Sequence, residues 1–326
     1  MKNIVLCFDH TDDRPGPRDA TNIAALYRLL ATGPDQLTWY HPGPSPQRAS
    51  RRHRHLAAQS RAAIIDGYRF VERCWEPGDR VYLFGSRYGG HRACELASLL
   101  GTVGLLPTGV DDLLDYALAT YVLPRTRRTV QDWRHVADLT AALADHDEIV
   151  VPVHFLGLFD AVAIPGAQRV TAPLDTVTAG RHAVPIDAGR ALRIPDGSLS
   201  EVWFRGGPSD IAGGPGACWP LADIALDWIL TGAVTAGLSV RDRTSCPNQL
   251  DALTPTAVTL QRRRTGVRGR VHASVEMYVR AHPRYWRRLP ARVDWVDVDW
   301  LARGERLARR PATALVGHRA PVAAAS

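Results

Sequence analysis

Three apolar runs in this chain stop abruptly at a polar residue or a glycine: Ile4–Phe8 at Asp9, Arg80–Phe84 at Gly85, and Ile149–Phe159 at Asp160. A continuous apolar run without alternation is the pattern of a strand covered on both faces. Helical periods lie between these runs. Thr21 can cap a helix in which Ile23, Leu26, Tyr27 and Leu30 share a face. A longer helix opens in Arg51–His55 and aligns Ile64, Gly67, Tyr68 and Val71, and His91–Leu100 follows the third strand. Gln36–Tyr40 and Glu201–Phe204 read as further strands, residues 108–147 as mostly helical, and Leu221, Ile224, Ala225, Trp228 and Ile229 mark another helix. Strands alternating with helices predict an α/β fold, a mostly parallel sheet flanked by helices. In such a sheet ligands gather at the carboxyl ends of the strands, where Asp9, the Gly85 turn and Asp160 stand.

The 326 residues are 45% hydrophobic and 22% charged, enough for a sizeable core and against disorder as the main state. The longest uncharged apolar run, Trp228 to Val240, is too short to cross a bilayer. Ile4–Phe8 is too short for a secretory signal, so the expected location is cytoplasmic. The five cysteines form no CxxC pair, which fits free thiols and argues against zinc. No cofactor motif is present. Net charge is +7, yet residues 261–326 alone carry 15 arginines against 5 acids, and residues 1–260 are net negative. A basic tail of this kind makes nucleic acid a weak expectation and leaves an anionic partner or membrane surface as an alternative. The expected division is a domain over 1–240 and an arginine-rich extension over 241–326 that packs partly on it.

Val81-Tyr82-Leu83-Phe84-Gly85-Ser86-Arg87-Tyr88-Gly89-Gly90 is the most informative segment. A strand that enters a glycine-flanked sharp turn and leaves as a helix is the frame of a nucleophile elbow, G-x-S-x-G. Gly85 and Gly89 supply the frame, but its centre is Arg87 and the serine stands one residue early. With Ser86 at the apex, Phe84 and Tyr88 would occupy the glycine positions and clash. Either the nucleophile has been lost or a local shift re-aims Ser86.

Seven motifs in order then resemble the α/β-hydrolase-like family that includes the phospholipase effectors of type VI secretion, the Tle1-like group. Phe8-Asp9-His10-Thr11 matches F-D-G-T, Thr21-Asn22-Ile23 matches T-N-V, and Trp39-Tyr40-His41-Pro42-Gly43 matches Y-Y-x-P-G. Gly85-Ser86-Arg87-Tyr88-Gly89-Gly90 matches G-F-S-R-G-A, and Phe155 to Val162 matches F-V-G-V-x-D-T-V. His182 to Arg190 echoes H-A-L-A-L-D-E-x-R, and Glu201 to Gly214 matches E-V-W-F-P-G-x-H-S-D-V-G-G. The order holds from residue 4 to about 240. The resemblance implies an α/β-hydrolase-like fold and a lipid or ester-like ligand, with a protein partner as a further expectation. It places Asp9, His10, Thr11, Thr21, Asn22, Gly85, Gly89 and Asp210 along the cleft.

The departures from the family fall on the chemistry. The resemblance implies an acyl-transfer triad whose serine position is Arg87, whose aspartate is Asp160 and whose histidine position is Pro208. Such a triad needs a hydroxyl, an imidazole to take its proton and a carboxylate to orient the imidazole. Arginine stays protonated and proline does not titrate. The leading expectation is therefore a degenerate hydrolase acting as a binding or regulatory protein, with Asp160 paired to a donor such as Arg87. The alternative is an active esterase or phospholipase in which Ser86, or Ser209, is a displaced nucleophile and His10, His91, His154 or His182 the base. His10 is favoured among these because it follows a strand end.

Weaker patterns complete the reading. Asp9-His10-Thr11 lacks the second aspartate of a D-x-D-x-T phosphatase, and Asp9, Asp12 and Asp13 as a cation site are more simply solvated carboxylates. Val271-His272-Ala273-Ser274 and Arg284-Tyr285-Trp286-Arg287-Arg288-Leu289-Pro290 resemble the closing region of the same family. With Trp286, Trp295 and Trp300 that region could lie on a membrane surface, although no long amphipathic period supports this.

Overall fold

The computed structural model describes residues 1–11, 20–43, 53–105, 131, 150–167, 174–188, 191–192, 194, 197, 199–243, 246–256 and 267–303. Its centre is an eight-stranded sheet in which every neighbouring pair is parallel. In chain order the strands are β1 (Asn3–Phe8), β2 (Gln36–His41), β3 (Arg80–Ser86), β4 (Val153–Phe159), β5 (Gly180–Pro185), β6 (Ser200–Phe204), β7 (Arg268–His272) and β8 (Arg292–Val296). Across the sheet they run β2-β1-β3-β4-β5-β6-β7-β8. The helices are α1 (Asn22–Leu29), α2 (His53–Cys74), α3 (Tyr88–Thr102), α4 (Pro208–Ala212), α5 (Trp219–Thr235), α6 (Gln249–Leu253) and α7 (Ala273–Ala281), with a 3₁₀ helix over Pro283–Arg288.

Alternate residues of β1 feed opposite faces, as strand geometry requires. Ile4, Leu6 and Phe8 pack with Ile64, Tyr68 and Val71 of α2 and with Leu96 and Leu100 of α3. Val5 and Cys7 pack on the other side with Ile23 and Leu26 of α1 and with Ile224, Trp228 and Ile229 of α5. Both faces are dry, which is why β1 carries no polar residue between Asn3 and Asp9. Thr21 accepts from Ala24 N at 3.0 Å and caps α1. Among the described residues no helix is long and apolar enough to cross a membrane.

Several boundaries differ from the sequence reading. Strand β3 runs on to Ser86 and α3 starts at Tyr88, so the chain turns within a single residue. The strand expected from Ile149 begins at Val153. Strands β5, β7 and β8 had no apolar run to reveal them: β7 reads Arg-Gly-Arg-Val-His and buries only its last two residues. A strand near a sheet edge has little dry surface to fill. Through β7 and β8, residues 268–296 of the stretch set apart as an extension continue the same sheet. Most of 108–147, the Asp12 and Asp13 loop, Arg262 to Arg264 and the chain after Arg303 lie outside the described residues.

Candidate functional site

The turn between β3 and α3 stands at the carboxyl edge of the sheet. Arg87 forms it alone, with φ 51 and ψ −118. A positive φ is unfavourable for a residue with a side chain and persists only where the surroundings impose it. Three backbone bonds do so here. Arg87 N donates to Phe159 O at 3.0 Å, and Arg87 O accepts from Gly90 N and from Val162 N, both at 3.1 Å. The glycines are required by close approach. A Cβ on Gly85 would lie 2.6 Å from the Gly89 carbonyl carbon, and one on Gly89 would lie 2.7 Å from the Phe8 carbonyl carbon. One on Gly90 would lie 2.6 Å from Ala161 Cβ.

From this apex the Arg87 guanidinium forms an ion pair with Asp160 Oδ2. Asp160 follows β4, is fully buried and also has a positive φ of 43; its N–H donates to Ala183 O at 2.8 Å. The Arg87 side chain keeps 28% of its surface exposed. The pair therefore sets a permanent cation over a buried carboxylate at the mouth of the strand ends. Pro208 is the first residue of α4, where its missing N–H costs nothing. Asp210 serves the same loop: its Oδ2 accepts from Gly207 N and its Oδ1 from Cys218 N, each at 2.8 Å. Ser209 is exposed on α4.

A second polar group sits beside the apex. Ser86 Oγ lies 2.8 Å from His10 Nδ1 and donates to Asp9 Oδ1 at 3.3 Å. His10 Nδ1 is itself 3.2 Å from Asp9 Oδ1, whose oxygen also accepts the His10 backbone N–H at 2.7 Å. Asp9 Oδ2 accepts from Tyr40 Oη at 2.7 Å and from Thr21 Oγ1. Burial pushes the Asp9 carboxyl up, but His10, Thr21 and Tyr40 outweigh it and hold the group below the usual carboxylate range. The hydroxyl, imidazole and carboxylate thus meet, but at one ring nitrogen. In an acyl-transfer triad the hydroxyl and the carboxylate use opposite nitrogens, so that one accepts a proton while the other is held. Here Nδ1 accepts from Ser86 or donates to Asp9, and Ser86 is fully buried.

The other residues expected along a cleft serve mainly as ties. Asn22 Nδ2 donates to Ile211 O and Ala222 O at 2.8 and 2.9 Å, binding α1 to α4 and α5. Thr21 forms an antiparallel bridge with Gly213, and Gly214 N donates to Ala20 O at 3.0 Å. Gly43 packs so tightly on the His10–Thr11 peptide that a Cβ would overlap Thr11 N. The other candidate bases are engaged in structure. His91 Nδ1 accepts from Ile164 N at 2.9 Å, His182 Nε2 accepts from Ala161 N at 3.1 Å, and His154 Nε2 donates to Ala236 O at 3.0 Å.

Two groups were not legible beforehand. Arg92 is 1% exposed in α3; its Nε donates to Ser60 Oγ at 3.1 Å and its Nη1 to Asp9 O at 3.4 Å. Burial pulls this guanidinium down to about 10. The second is a hydroxyl–imidazole–carboxylate series at the end of β7. His272 Nδ1 lies 2.8 Å from Ser274 Oγ, and His272 Nε2 lies 3.2 Å from Asp297 Oδ2. The same Nδ1 accepts Ser274 N at 3.2 Å as the cap of α7, and the ring is stacked on Phe204 with Trp300 alongside. With His272 and Ser274 both buried, this series is a helix cap, despite its resemblance to a triad.

A parallel sheet with a strained strand–turn–helix at its carboxyl edge, glycine-framed and accompanied by an aspartate just past the end of the next strand, defines an α/β-hydrolase-like protein. The chain belongs to the family described as type VI secretion system phospholipase effector Tle1-like, catalytic domain, whose model matches residues 2–232. An uncharacterized protein of Saccharomyces cerevisiae, YEL023C, is 31% identical over 58% of this chain and 31% of its own length. Among solved structures, an uncharacterized protein from Pseudomonas aeruginosa matches at 15% identity and a TM-score of 0.44, over 74% of this chain and 47% of that one. The Tle1 effector bound to the VgrG spike of the type VI system matches at 15% identity and a TM-score of 0.36, over 65% and 50%. The chain spans about a third of the length of the yeast relative and about half of the solved ones.

Proposed function

We propose that this chain is a Tle1-like domain that binds a lipid or ester-like ligand, or a regulatory partner, without forming an acyl-enzyme. The supporting observation is the Arg87 guanidinium at the apex of the elbow, ion-paired to Asp160. A guanidinium holds its proton throughout the physiological range and cannot attack a carbonyl carbon. Pro208 offers no proton acceptor. What remains is a partly exposed cation at the carboxyl edge of the sheet, suited to holding an ester or an anionic headgroup in place. The test is treatment of the full chain with a fluorophosphonate probe and a short-chain ester. The expected result is neither an adduct nor turnover. Turnover that is lost in Ser86→Ala and kept in Arg87→Ala overturns the reading.

The 2.8 Å contact between Ser86 and His10 supports a second reading, in which Ser86 is the nucleophile and His10 Nδ1 its base. In this route Asp9, 3.2 Å from the same nitrogen, stabilises the imidazolium by its charge without holding Nε2, and Ser86 must become accessible. The same pair of substitutions separates the two readings.

A further inference from the structure

A 3₁₀ helix repeats every three residues, so the side chains of Pro283–Arg288 sort into three columns. Tyr285 and Arg288 share the inward column. Tyr285 Oη donates to Asp187 Oδ2 at 3.0 Å, and Arg288 forms an ion pair with Asp187 Oδ1. Asp187 lies just past the end of β5, and β5 neighbours β4, which Asp160 directly follows. The 3₁₀ helix is therefore clamped to the same carboxyl edge that carries Arg87. Its support is stiff on both sides. Before it, Tyr278 stacks on His282 with centroids 4.2 Å apart and carries the Arg205 guanidinium at 3.9 Å. After it, Leu289 is buried against the sheet, in a cluster with Trp203 and Val275.

The two outward columns are Arg284 with Arg287, and Pro283 with Trp286. All four residues are exposed, Trp286 to 47%. Residues 277–293 hold five arginines and no Asp or Glu. Arg288 is engaged with Asp187, and Arg280 with Glu276 at 2.7 Å. Among the described residues no carboxylate lies within ion-pair distance of Arg284 or Arg287. A fixed surface that presents two uncommitted guanidiniums beside an exposed indole is matched by one kind of partner. Anionic lipid headgroups attract the arginines, and an indole sits favourably at headgroup depth.

We propose that the 3₁₀ helix Pro283–Arg288 docks this protein on an anionic lipid surface, with Arg284 and Arg287 on lipid phosphates and Trp286 at headgroup level. Nucleic acid fits less well. It calls for a basic track several phosphates long, whereas residues 1–260 are net negative. Docking does not depend on whether Ser86 turns over an ester, and vesicle partition reads it without any turnover.

The test is co-sedimentation of the full chain with vesicles of phosphatidylglycerol and phosphatidylcholine, against phosphatidylcholine alone. Binding is expected to the first only and to weaken with salt. Arg284→Glu/Arg287→Glu lowers partition by roughly tenfold or more, and Trp286→Ala by roughly threefold, at unchanged melting temperature since all three side chains are exposed. Equal binding to both vesicle types overturns the proposal. So does partition that survives the double charge reversal, or tighter binding to a short RNA or DNA with the same arginine dependence.

Discussion

Arg87 and Asp160 stand at the ends of adjacent strands, both with positive φ, and they bind each other through a guanidinium–carboxylate pair. The two strained turns lock one another: the Arg87 N–H donates to the carbonyl of Phe159, and the Arg87 carbonyl accepts from Val162. Removing the guanidinium leaves a buried carboxylate behind, a change that costs about 2–4 kcal/mol when the lost partner is partly exposed. Arg87→Ala combines that loss with the retained backbone strain. Arg87→Gly loses the pair but relieves the strain, so it should be more stable than the alanine variant by about 1 kcal/mol. Urea midpoints of the two variants decide this; an alanine variant at least as stable as the glycine one means the apex is not strained.

The triad positions that the resemblance implies suggest a reconstruction. Arg87→Ser puts a hydroxyl at the apex and Pro208→His an imidazole at the start of α4, while Asp160 stands at the aspartate position the resemblance implies. Neither single change supplies both nucleophile and base, and the components of a triad act as a unit. A fluorophosphonate adduct is expected in the double variant and in neither single one, read by intact-protein mass spectrometry.

Gly89 is set by the carbonyl end of β1 rather than by its own backbone angles. A Cβ there would overlap Phe8 O, and neither backbone can withdraw without breaking the β1–β3 register. Gly89→Ala should cost roughly 4 kcal/mol or more. Thermal melting followed by circular dichroism measures it, with Gly33→Ala, at a site with open space, as the tolerant control.

Stability should weaken on mild acidification through His272. Burial pulls its imidazole below its ordinary value, against the pull of Asp297. The unfolded chain then takes up the proton more readily than the folded one. Its contribution is complete above about pH 6.5 and is lost as the pH falls from there toward the lower native value. His272→Asn keeps a cap acceptor for α7 but cannot titrate, so it should flatten the slope of unfolding free energy between about pH 6.5 and 5. Denaturant titrations across that range supply the slope; an unchanged slope assigns it to other groups.

The parallel α/β fold was legible in the sequence because each central strand is buried on both faces and shows it as an unbroken apolar run. So was the strand–turn–helix at Gly85 to Gly90, because the need for glycine at a close backbone approach is a local demand written at fixed spacing. The arginine at its tip follows from counting between those glycines. Strands β5, β7 and β8 were not legible: β5 is interior but short and opens on Gly-Arg-His, β7 and β8 lie at the sheet's far edge and carry Arg, His or Asp among few apolar residues, and only their neighbours make them strands.

An Arg87–Asp160 pair and a His10–Ser86 approach were expected from the sequence; what the tertiary structure alone decided is the geometry in which those polar groups meet and which others join them. His10 and Ser86 are far apart in the chain and come within 2.8 Å because β1 and β3 pair in a register that sets Phe8 beside Gly85. No local pattern encodes that this imidazole turns a single nitrogen to both the hydroxyl and Asp9. The burial of Arg92 behind Asp9 and the clamp of Tyr285 and Arg288 on Asp187 are likewise contacts between distant segments. Periodicity records how each segment faces the core, while side-chain partners are fixed only once the segments are packed together.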